Sequence, residues 1–367
     1  MKYKYPVYQP TFSEKEKEYV NECLDSTWIS SKGKFISLFE EHFARFNGVK
    51  YSAAVTNGTV ALHLALIALG IGEGDEVIVP TLTYIASVNA IAYTGATPVF
   101  VDSLSDTWQM NPIDIKKNIT HKTKAILAVH LYGHPCEMDS IVKIAKENDL
   151  FLVEDCAEAI GTKYKGTLVG TFGDIGTYSF FGNKTITTGE GGMVITNDET
   201  LHSRMVHYKG QGLAKYREYW HDVIGYNYRM TNICAAIGLA QLEKIQSVLN
   251  KKRAIANWYK EYLTHIPVNF HEEIGEVYHS YWMCSILVNE PKLRDSLRQY
   301  LMDRKIETRP VFYPVHTMPM YASKYQKHGN AEDLGWRGIN LPSYPDLGKA
   351  DVKYICQQIE NYFHEIR

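Results

Sequence analysis

A single lysine, Lys184, stands in a part of the sequence where a basic side chain is unexpected. The surrounding residues 173–196 read GDIGTYSFFGNKTITTGEGGMVIT, so an aromatic pair precedes the lysine and small, hydroxylated and glycine residues follow it. A lysine amine that is partly withdrawn from water favours its neutral form, which is nucleophilic. An isolated lysine in a loop is more commonly a solvated surface charge. The sequence around Lys184 therefore indicates either a reactive amine or an ordinary surface residue.

Three other stretches place chemically useful residues directly after short apolar segments. Residues 56–59 (TNGT) open a helical pattern, and a helix start with a glycine can bind an anion through backbone N–H groups. The same residues also suit an ordinary helix cap. Tyr84 ends PTLTY and can either stack on a flat ligand or pack in the core. Asp155 ends an apolar strand in VEDCAEA, where a carboxylate needs a helix N-terminus or a cationic ligand atom to compensate it.

These four features together match the needs of one cofactor. Pyridoxal phosphate requires an anion site for its phosphate, a flat face for its ring, a carboxylate for its pyridine nitrogen and an amine for its aldehyde. An α/β sheet can bring such residues together, because ligands bind beyond the carboxyl ends of its strands. The combination predicts that Lys184, Asp155, Tyr84 and residues 56–59 line one site for pyridoxal 5'-phosphate.

The pattern of the first two thirds of the chain indicates a parallel sheet. Short apolar segments rich in Val, Ile and Leu alternate with helical stretches such as YIASVNAIAYTG and MDSIVKIAKEND. This alternation predicts an α/β fold with a mostly parallel sheet and helices on both faces. The expected strands are 51–55, 75–80, 97–102, 124–130, 150–155, 176–180 and 192–197.

The character of the sequence changes near residue 235. Residues 231–266 carry a long helical period that should link to a second unit, in which 281–288 is expected to form a strand. We expect a large domain over residues 1–240, which includes the N-terminal segment, and a smaller C-terminal α/β domain over residues 241–367.

Composition argues against several classes of protein. The chain has 367 residues, and its 39 basic and 41 acidic side chains nearly cancel, which disfavours a nucleic-acid partner. The six cysteines show neither zinc-ligand spacing nor a disulfide framework, so we expect no metal site and a reducing compartment. The sequence shows no secretory signal and no apolar run near the roughly 18 residues of a membrane span. We therefore expect a soluble cytoplasmic protein that does not bind membranes.

The order of the motifs resembles that of a known enzyme family. The sugar aminotransferases of the DegT/DnrJ/EryC1/StrS group carry motifs similar to TNGTVALHLAL, VPTLTYIASVNAI, VHLYGHPCEMDSI, VEDCAEAIGTKYKG, GDIGTYSFFGNKTITTGEGGMV and GYNYRMTNICAAIGLAQL. The resemblance covers nearly the whole chain and extends to RPVFYPVHTMPMY and LPSYPDL. It implies a pyridoxal-phosphate enzyme with the aspartate aminotransferase-like fold, called fold type I. In that fold the large domain is built on a mostly parallel seven-stranded sheet.

The resemblance assigns roles to the residues of the predicted site. It implies that Lys184 holds the cofactor's aldehyde as a Schiff base and that Asp155 pairs with the pyridinium nitrogen. It implies that Tyr84 stacks on the cofactor ring. The predicted phosphate cradle consists of the backbone around Gly58 and Thr59 and the hydroxyl of Ser179.

Two further positions bear on the assembly and on the cofactor. Asn227, in GYNYR, matches a residue that reaches the phosphate from the neighbouring subunit, which implies a homodimer or a larger assembly such as a tetramer. Glu158 stands where the family often has a glutamine that touches the phenolic oxygen of the cofactor, so this position departs from the commonest pattern. Related sugar dehydratases carry a histidine in place of the lysine, and Lys184 therefore favours transamination.

The resemblance also implies the substrates. We expect L-glutamate as the amino donor and, as the acceptor, a nucleotide-linked 4-keto-6-deoxy sugar used in O-antigen and lipopolysaccharide synthesis. We expect sugar or diphosphate contacts from Trp28, Arg309, Tyr313 and His316, although His316 equally suits a structural role before a Pro-bounded turn. The sequence leaves open whether the nucleotide is GDP, UDP or dTDP and whether the amine enters at C3 or C4.

Two rival functions fit parts of the sequence. FFGNKT is similar to the end of a phosphate-binding P-loop, but Asn183 separates the glycine from the lysine, and neither GxxxxGK[ST] nor GxGxxG occurs where it is needed. A non-catalytic sensor that binds pyridoxal phosphate would share the scaffold. The intact lysine, aspartate and phosphate loop argue against such a sensor.

Overall fold

A seven-stranded sheet forms the centre of the molecule, in a computed structural model that describes residues 3–322 and 326–366. The strands, including those of two smaller sheets, are β1 (Tyr51–Val55), β2 (Glu76–Pro80), β3 (Thr97–Val101), β4 (Thr123–Val129), β5 (Phe151–Asp155), β6 (Lys163–Tyr164), β7 (Thr167–Leu168), β8 (Ile175–Ser179), β9 (Gly192–Thr196), β10 (Val268–Phe270), β11 (Val277–Tyr278), β12 (Cys284–Val288), β13 (Arg309–Pro310) and β14 (Gly338–Leu341). In the large sheet the order is β1-β9-β8-β5-β4-β2-β3. The neighbouring strands β1 and β9, and β9 and β8, are antiparallel. All the other neighbouring strands of this sheet are parallel. The mostly parallel sheet predicted from the sequence is confirmed.

The carboxyl ends of several strands meet at one edge of this sheet. β2, β4, β5 and β8 are mutually parallel, and β1 runs in the same direction because β1 and β8 are both antiparallel to β9. The edge therefore carries the last residues of these strands, among them Val55, Asp155 and Ser179. Ligands bind beyond such an edge in α/β sheets, so the fold brings three of the predicted stretches to the expected place.

Helices cover both faces of the large sheet. Along β2, Val77 and Val79 pack in one core with residues of three helices. Ile78 packs in another core on the opposite face, because successive side chains of a strand point to opposite sides. None of the helices within the described ranges has the length and apolar character needed to cross a membrane. The helices are α1 (Glu14–Asp25), α2 (Lys34–Asn47), α3 (Gly58–Ala68), α4 (Ile85–Tyr93), α5 (Pro112–Lys117), α6 (Met138–Glu147), α7 (Glu199–Lys209), α8 (Asn232–Glu243), α9 (Ile245–Leu263), α10 (Pro291–Asp303), α11 (Gly329–Arg337) and α12 (Lys349–Glu365).

A second core forms around a four-stranded sheet of order β10-β12-β14-β13. Side chains of α9, α10 and α12 pack there against Ile286 and Ile339 of the sheet. Tyr5 belongs to the same core and pairs with Ile306. The N-terminal segment thus packs against the second unit, although the sequence grouped it with the first, and the division between residues 240 and 241 stays a prediction.

The long helical period of residues 231–266 resolves into two helices in the structure. α8 ends and α9 begins on either side of Lys244, whose φ of −106° and ψ of 8° leave the helical region. The amine of Lys244 donates to the carbonyl oxygen of Thr11 at 2.8 Å and lies 2.6 Å from the carboxylate of Glu16. Contacts with the N-terminal segment therefore accompany the turn in the chain, and helical periodicity alone does not reveal them.

Lys252 on α9 is fully buried and connects segments that are distant in sequence. Its amine donates to the carbonyl oxygen of Trp282 at 2.8 Å and to that of Ser343 at 2.7 Å. The same amine lies 5.2 Å from the centroid of the Tyr8 ring. Burial lowers the pKa of Lys252 to about 8, because water no longer solvates the charged form. Lys252 therefore joins the linker helix to the second unit and to the N-terminal segment.

Replacing Lys252 by methionine is expected to lower the free energy of unfolding by about 2–4 kcal/mol, because two buried carbonyl groups lose their donor. Between pH 8, near the folded pKa of about 8, and the unfolded pKa of roughly 10.4, the unfolded chain binds more protons than the folded one. The stabilising contribution of Lys252 is therefore fully present above this window and falls as the pH drops through it. Denaturant unfolding should show a larger gap between wild type and variant at pH 10 than at pH 7.

The neighbouring Lys251→Met is the matched control for this prediction. Lys251 is exposed and forms an ion pair with Asp346 at 3.0 Å. A surface pair of this kind contributes less than about 1 kcal/mol, so Lys251→Met should leave the unfolding midpoint nearly unchanged. Equal losses in the two variants would show that the buried contacts of Lys252 carry no special stabilisation.

Candidate active site

The loop that carries Lys184 is held in shape by its own backbone and hydroxyl groups. The carbonyl oxygen of Phe180 accepts a hydrogen bond from the Thr188 N–H at 2.9 Å and another from Thr187 Oγ1 at 3.0 Å. Thr187 Oγ1 in turn accepts from the Gly189 N–H at 2.9 Å. The hydroxylated and glycine residues after Lys184 therefore close the loop between β8 and β9 and fix the position from which the lysine extends.

The amine of Lys184 lies in a buried environment that contains both carboxylates and an aromatic ring. The side chain is 12% exposed, and Nζ lies 3.7 Å from Oε1 of Glu158 and 4.0 Å from the ring centroid of Trp282. Burial lowers the pKa of Lys184, and the charges of Glu158 and Asp155 oppose that shift. The hydroxyl of Tyr8 donates a hydrogen bond to the backbone carbonyl of Lys184. The surroundings match the partly desolvated amine expected from the sequence.

Asp155 ends β5 as a buried carboxylate held by two donors. Ser87 Oγ donates to Oδ2 at 2.8 Å, and the Ala157 N–H donates to Oδ1 at 3.0 Å. Burial raises the pKa of Asp155, while the Ala157 and Ser87 hydrogen bonds oppose the shift because they stabilise the charged form. Sequence reasoning missed Ser87. The available signal was its place one helical turn after Tyr84, which puts both residues at the start of α4.

The start of α3 and the end of β8 lie in close contact. Asn57 caps α3, and its side chain accepts from the Val60 N–H at 3.0 Å. A Cβ atom at Gly58 would lie 2.6 Å from the Cβ of Ser179, so a glycine is required for the two segments to approach. Thr59 follows in the first turn of the helix. A helix start that faces a serine hydroxyl has the donors and the dipole that suit a phosphate group.

Tyr84 lies at the first turn of α4 and remains more than half exposed, with 55% of its surface accessible. Its ring lies 5.5 Å from that of Phe312, and Phe312 lies 5.2 Å from the ring of Tyr132. The Phe312 N–H donates to the Tyr132 hydroxyl at 2.9 Å. Sequence reasoning did not select Phe312 or Tyr132, because their proximity to Tyr84 arises only when the C-terminal unit packs on the large sheet.

Glu158 is buried beside the lysine, with 5% of its surface exposed. Its Oε2 accepts a hydrogen bond from the Tyr132 N–H at 2.8 Å. Tyr132 adopts a φ of 56°, which is uncommon for a residue with a side chain and often marks a functional site. Burial raises the pKa of Glu158 to about 7, and the nearby charge of Lys184 opposes this shift. Glu158 can therefore exchange a proton near neutral pH.

Two of the predicted substrate residues have partners of their own. Arg309 forms an ion pair with Glu307 at 2.7 Å and is largely exposed. The ring of Tyr313 lies 5.0 Å from that of Trp336, and the guanidinium of Arg294 lies 5.3 Å from the Tyr313 ring centroid. Substrate contacts of Arg309 and Tyr313 stay a prediction.

His316 is buried close to the end of β2. Its Nδ1 shares a hydrogen bond with Thr81 Oγ1 at 2.6 Å, and its Nε2 lies 3.2 Å from the carboxylate of Glu332. The neighbouring Val315 N–H donates to the carbonyl oxygen of Thr81 at 2.8 Å. These contacts give His316 a role in joining the C-terminal unit to the large sheet, and a substrate contact from it stays a prediction.

Trp28 lies in an exposed region that Asn232 organises, and Asn227 is exposed elsewhere on the chain. The side chain of Asn232 donates to the carbonyl oxygen of Trp28 at 2.7 Å. Gly33, with a φ of +150°, passes so close that a Cβ would lie 2.2 Å from the same amide. Asn227 is exposed, and its side-chain oxygen accepts from Arg229 at 3.2 Å. Both Trp28 and Asn227 therefore present their side chains at the surface of the single chain.

The residues at the edge of the large sheet fit pyridoxal phosphate. The close approach of Gly58 and Ser179 forms a cradle for an anion, and Asp155 is a buried carboxylate that a cationic ring nitrogen would compensate. Lys184 supplies a buried amine in the same region, with Nζ 3.7 Å from Glu158 and close enough to Asp155 for that charge to raise its pKa. These three groups meet three of the four requirements identified in the sequence, and Tyr84, which is 55% exposed, is the candidate for the fourth.

Comparisons with known proteins cover almost the whole chain. The profile of the DegT/DnrJ/EryC1/StrS aminotransferase family matches residues 10–360. A GDP-perosamine synthase of Escherichia coli O157:H7 is 67% identical over 365 residues, which cover 100% of each chain. A GDP-perosamine synthase of Vibrio cholerae is 50% identical over 363 residues, which cover 98% of this chain and 99% of the relative.

A solved structure shares the fold. It is PseC of Helicobacter pylori, an aminotransferase involved in the biosynthesis of pseudoaminic acid. Its TM-score is 0.94 at 27% identity, and the match covers 98% of this chain and 99% of that one. The likeness confirms the predicted aspartate aminotransferase-like fold type I.

Replacing Glu158 by glutamine is expected to change the pH dependence of Lys184. Below pH 7 the carboxyl of Glu158, whose pKa is about 7, is mainly protonated and resembles the neutral amide. Above pH 7 its charge holds the proton on Lys184, and the variant loses this effect. In cofactor-free protein, acetylation of Lys184 by acetic anhydride should therefore be similar in both proteins at pH 6. Above pH 8 it should be roughly three- to tenfold faster in the variant.

Peptide mass spectrometry measures this acetylation, with the exposed Lys116 as the internal reference. Glutamine retains an oxygen that can accept the Tyr132 N–H, so the backbone contact at Glu158 is preserved. Superimposable labelling profiles at all pH values would mean that Glu158 does not control the proton of Lys184.

Proposed function

The chain belongs to the DegT/DnrJ/EryC1/StrS aminotransferase family, and we propose that it transfers the amino group of L-glutamate to C4 of GDP-4-keto-6-deoxy-D-mannose, forming GDP-perosamine. It is a sugar aminotransferase that uses pyridoxal phosphate. The 67% identity to a GDP-perosamine synthase across the full length of both chains supports the choice of substrate. The product would serve O-antigen and lipopolysaccharide synthesis.

The proposed chemistry divides roles among the residues at the sheet edge. Pyridoxal phosphate, when bound, supplies an electron sink that stabilises negative charge on the carbon next to the transferred nitrogen. Lys184 would hold the cofactor through its amine and, as a free amine, would carry a proton to and from that carbon as a general acid and base. Asp155 keeps a negative charge facing the ring nitrogen. Ser87 supports this state, because its hydroxyl donates to the Asp155 carboxylate.

The remaining cofactor contacts follow from position. Gly58 and Thr59 at the start of α3, together with Ser179 at the end of β8, would bind the phosphate. Tyr84 lies one helical turn from Ser87, which bonds Asp155, so the exposed ring of Tyr84 would lie beside the ring of the cofactor. Glu158 would face the phenolic oxygen of the cofactor and could donate or accept a proton there, since burial raises its pKa to about 7.

The proposed enzyme is a homodimer whose active sites contain residues of both subunits. The segment before Asn227 exposes several large apolar side chains in the single chain, including Tyr219 at 93% and Ile224 at 89% exposed. Exposed apolar patches of this kind mark protein interfaces. A partner subunit would cover the patch and accept Asn227 at its phosphate site.

We place the enzyme in the cytoplasm, where its six free cysteines would remain reduced.

The substrate assignment is tested by comparing keto-sugar nucleotides. With pyridoxal phosphate and L-glutamate, the purified chain should aminate GDP-4-keto-6-deoxy-D-mannose with a kcat/KM roughly tenfold or more above that for UDP- and dTDP-linked keto sugars. Mass spectrometry of the product sugar nucleotide and NMR of the amino position give the readout. A preference for a UDP or dTDP sugar, or amination at C3, would overturn the substrate assignment.

Lys184→Ala is the control for the reaction class. This variant should fall to background because it lacks the amine, whereas Lys116→Ala on an exposed helix face should retain wild-type turnover. Borohydride reduction followed by peptide mapping should place the cofactor on Lys184. A cofactor that binds but does not respond to any amino donor would instead indicate a non-catalytic sensor.

A subunit-mixing experiment tests the shared site. Alone, Lys184→Ala should be inactive and Asn227→Ala weakly active, because each protein lacks one component of every site. Mixed dimers formed by unfolding and refolding the two together should regain about one quarter of wild-type activity. Half of the dimers are then hybrids, and each hybrid has one complete site. No recovery in proteins that do form hybrids would show that Asn227 serves its own chain.

A further inference from the structure

The C-terminal unit places one aromatic ring directly on the catalytic lysine. Trp282 lies between β11 and β12, is 3% exposed, and presents its ring 4.0 Å from Nζ of Lys184. From this contact we propose that Trp282 is a positioning residue that holds the free, protonated amine of Lys184 against its ring face between the proton-transfer steps. The proposal rests on the role of Lys184 given above.

The ring of Trp282 is fixed from several sides, so its position is set before any ligand binds. Its Nε1–H donates to the carbonyl oxygen of Asn183, the residue before the lysine, at 2.8 Å. Its own carbonyl oxygen accepts from Lys252 at 2.8 Å. Its ring stacks on that of Tyr132 with a centroid distance of 5.9 Å and an interplanar angle of 11°. A ring held in this way can support an ammonium group without first reorganising.

The charged groups around Lys184 do not fully offset the effect of burial on its ammonium form, so the ring of Trp282 can contribute to stabilising that form. Burial disfavours the charged amine, whereas Glu158 and Asp155 favour it. Glu158 loses its charge near pH 7, so its help is absent in part of the population at neutral pH. Tyr8 contacts the backbone of Lys184 rather than its amine. The face of an indole ring attracts a cation regardless of these protonation states.

This arrangement explains why a buried lysine can both receive and return a proton. An amine released into a dry pocket would lose its proton quickly and would be free to adopt other rotamers. Contact with Trp282 opposes both effects, because the attraction acts only on the charged amine and fixes its direction. The lysine then remains close to the carbon to which it must return the proton.

Substitution of Trp282 separates the ring effect from the hydrogen bond. In cofactor-free protein, Trp282→Leu should lower the pH midpoint for acetylation of Lys184 by roughly one unit, because the variant loses the attraction for the ammonium form. Trp282→Phe keeps a ring face but loses the N–H donated to Asn183, so its midpoint should move by less than half as much. In the cofactor-loaded protein, the absorbance of bound pyridoxal phosphate during a pH titration gives a second readout.

Trp108→Leu is the matched control, because it removes another buried tryptophan from the same region. Trp108 is 3% exposed, and its ring lies 6.3 Å from that of Tyr132. It should lower thermal stability as Trp282→Leu does and leave the Lys184 midpoint unchanged. An unchanged midpoint in Trp282→Leu, or an equal shift in Trp108→Leu, would overturn the proposal.

The acetylation readout requires neither sugar nor amino donor, so it is independent of the proposed reaction. Failure of the sugar nucleotide assay with an altered midpoint in Trp282→Leu would reject the substrate and keep the positioning role. Normal turnover with no midpoint change would reject the positioning role alone.

Discussion

The burial of one amine beside two carboxylates is the constraint on which the rest of the structure depends. Lys184, Glu158 and Asp155 are each removed from water, and burial shifts the pKa of each toward its neutral form. Their mutual attraction and their hydrogen bonds oppose that shift. This cluster of three side chains is stable only if neighbouring residues hold each of them in place, because an unpaired buried charge costs several kcal/mol. Ser87, Tyr132 and the closed loop before β9 supply this support through direct contacts.

The two units of the fold contribute different parts of this site. The large sheet sets the positions of the carboxylates and the phosphate cradle, since the ends of its parallel strands meet at one edge. The second unit adds Trp282, whose ring lies 4.0 Å from the amine of Lys184, and Phe312, whose ring lies 5.5 Å from that of Tyr84. Trp282 ties the second unit to the first, because its Nε1–H donates to the carbonyl oxygen of Asn183 in the loop that carries Lys184. Movement of one unit against the other would therefore alter the surroundings of the lysine.

Much of this architecture is predictable from the sequence, because short buried strands and their ends leave local signals. The strands of the large sheet lie within one residue of the expected limits, and Asp155 and the helix start at Gly58 lie where expected. Ser87, Trp282 and Lys252 were not predicted, because their partners are distant in sequence. Ser87 bonds Asp155 68 residues away, Trp282 bonds Asn183 99 residues away, and Lys252 bonds Ser343 91 residues away. The interruption at Lys244 was missed for the same reason, because the side chain of Lys244 contacts N-terminal residues more than 200 positions away. Local patterns reveal elements, whereas pairings between distant segments require the folded chain.

The hydroxyl of Tyr8 bonds the backbone of Lys184, while Tyr5, three residues earlier, packs in the core of the second unit. The amino-terminal segment thus contacts both units of the protein and, through Tyr8, the backbone of the reactive lysine. Shortening the chain at this end, or fusing a bulky partner to it, would be transmitted to the lysine without altering any residue of the pocket.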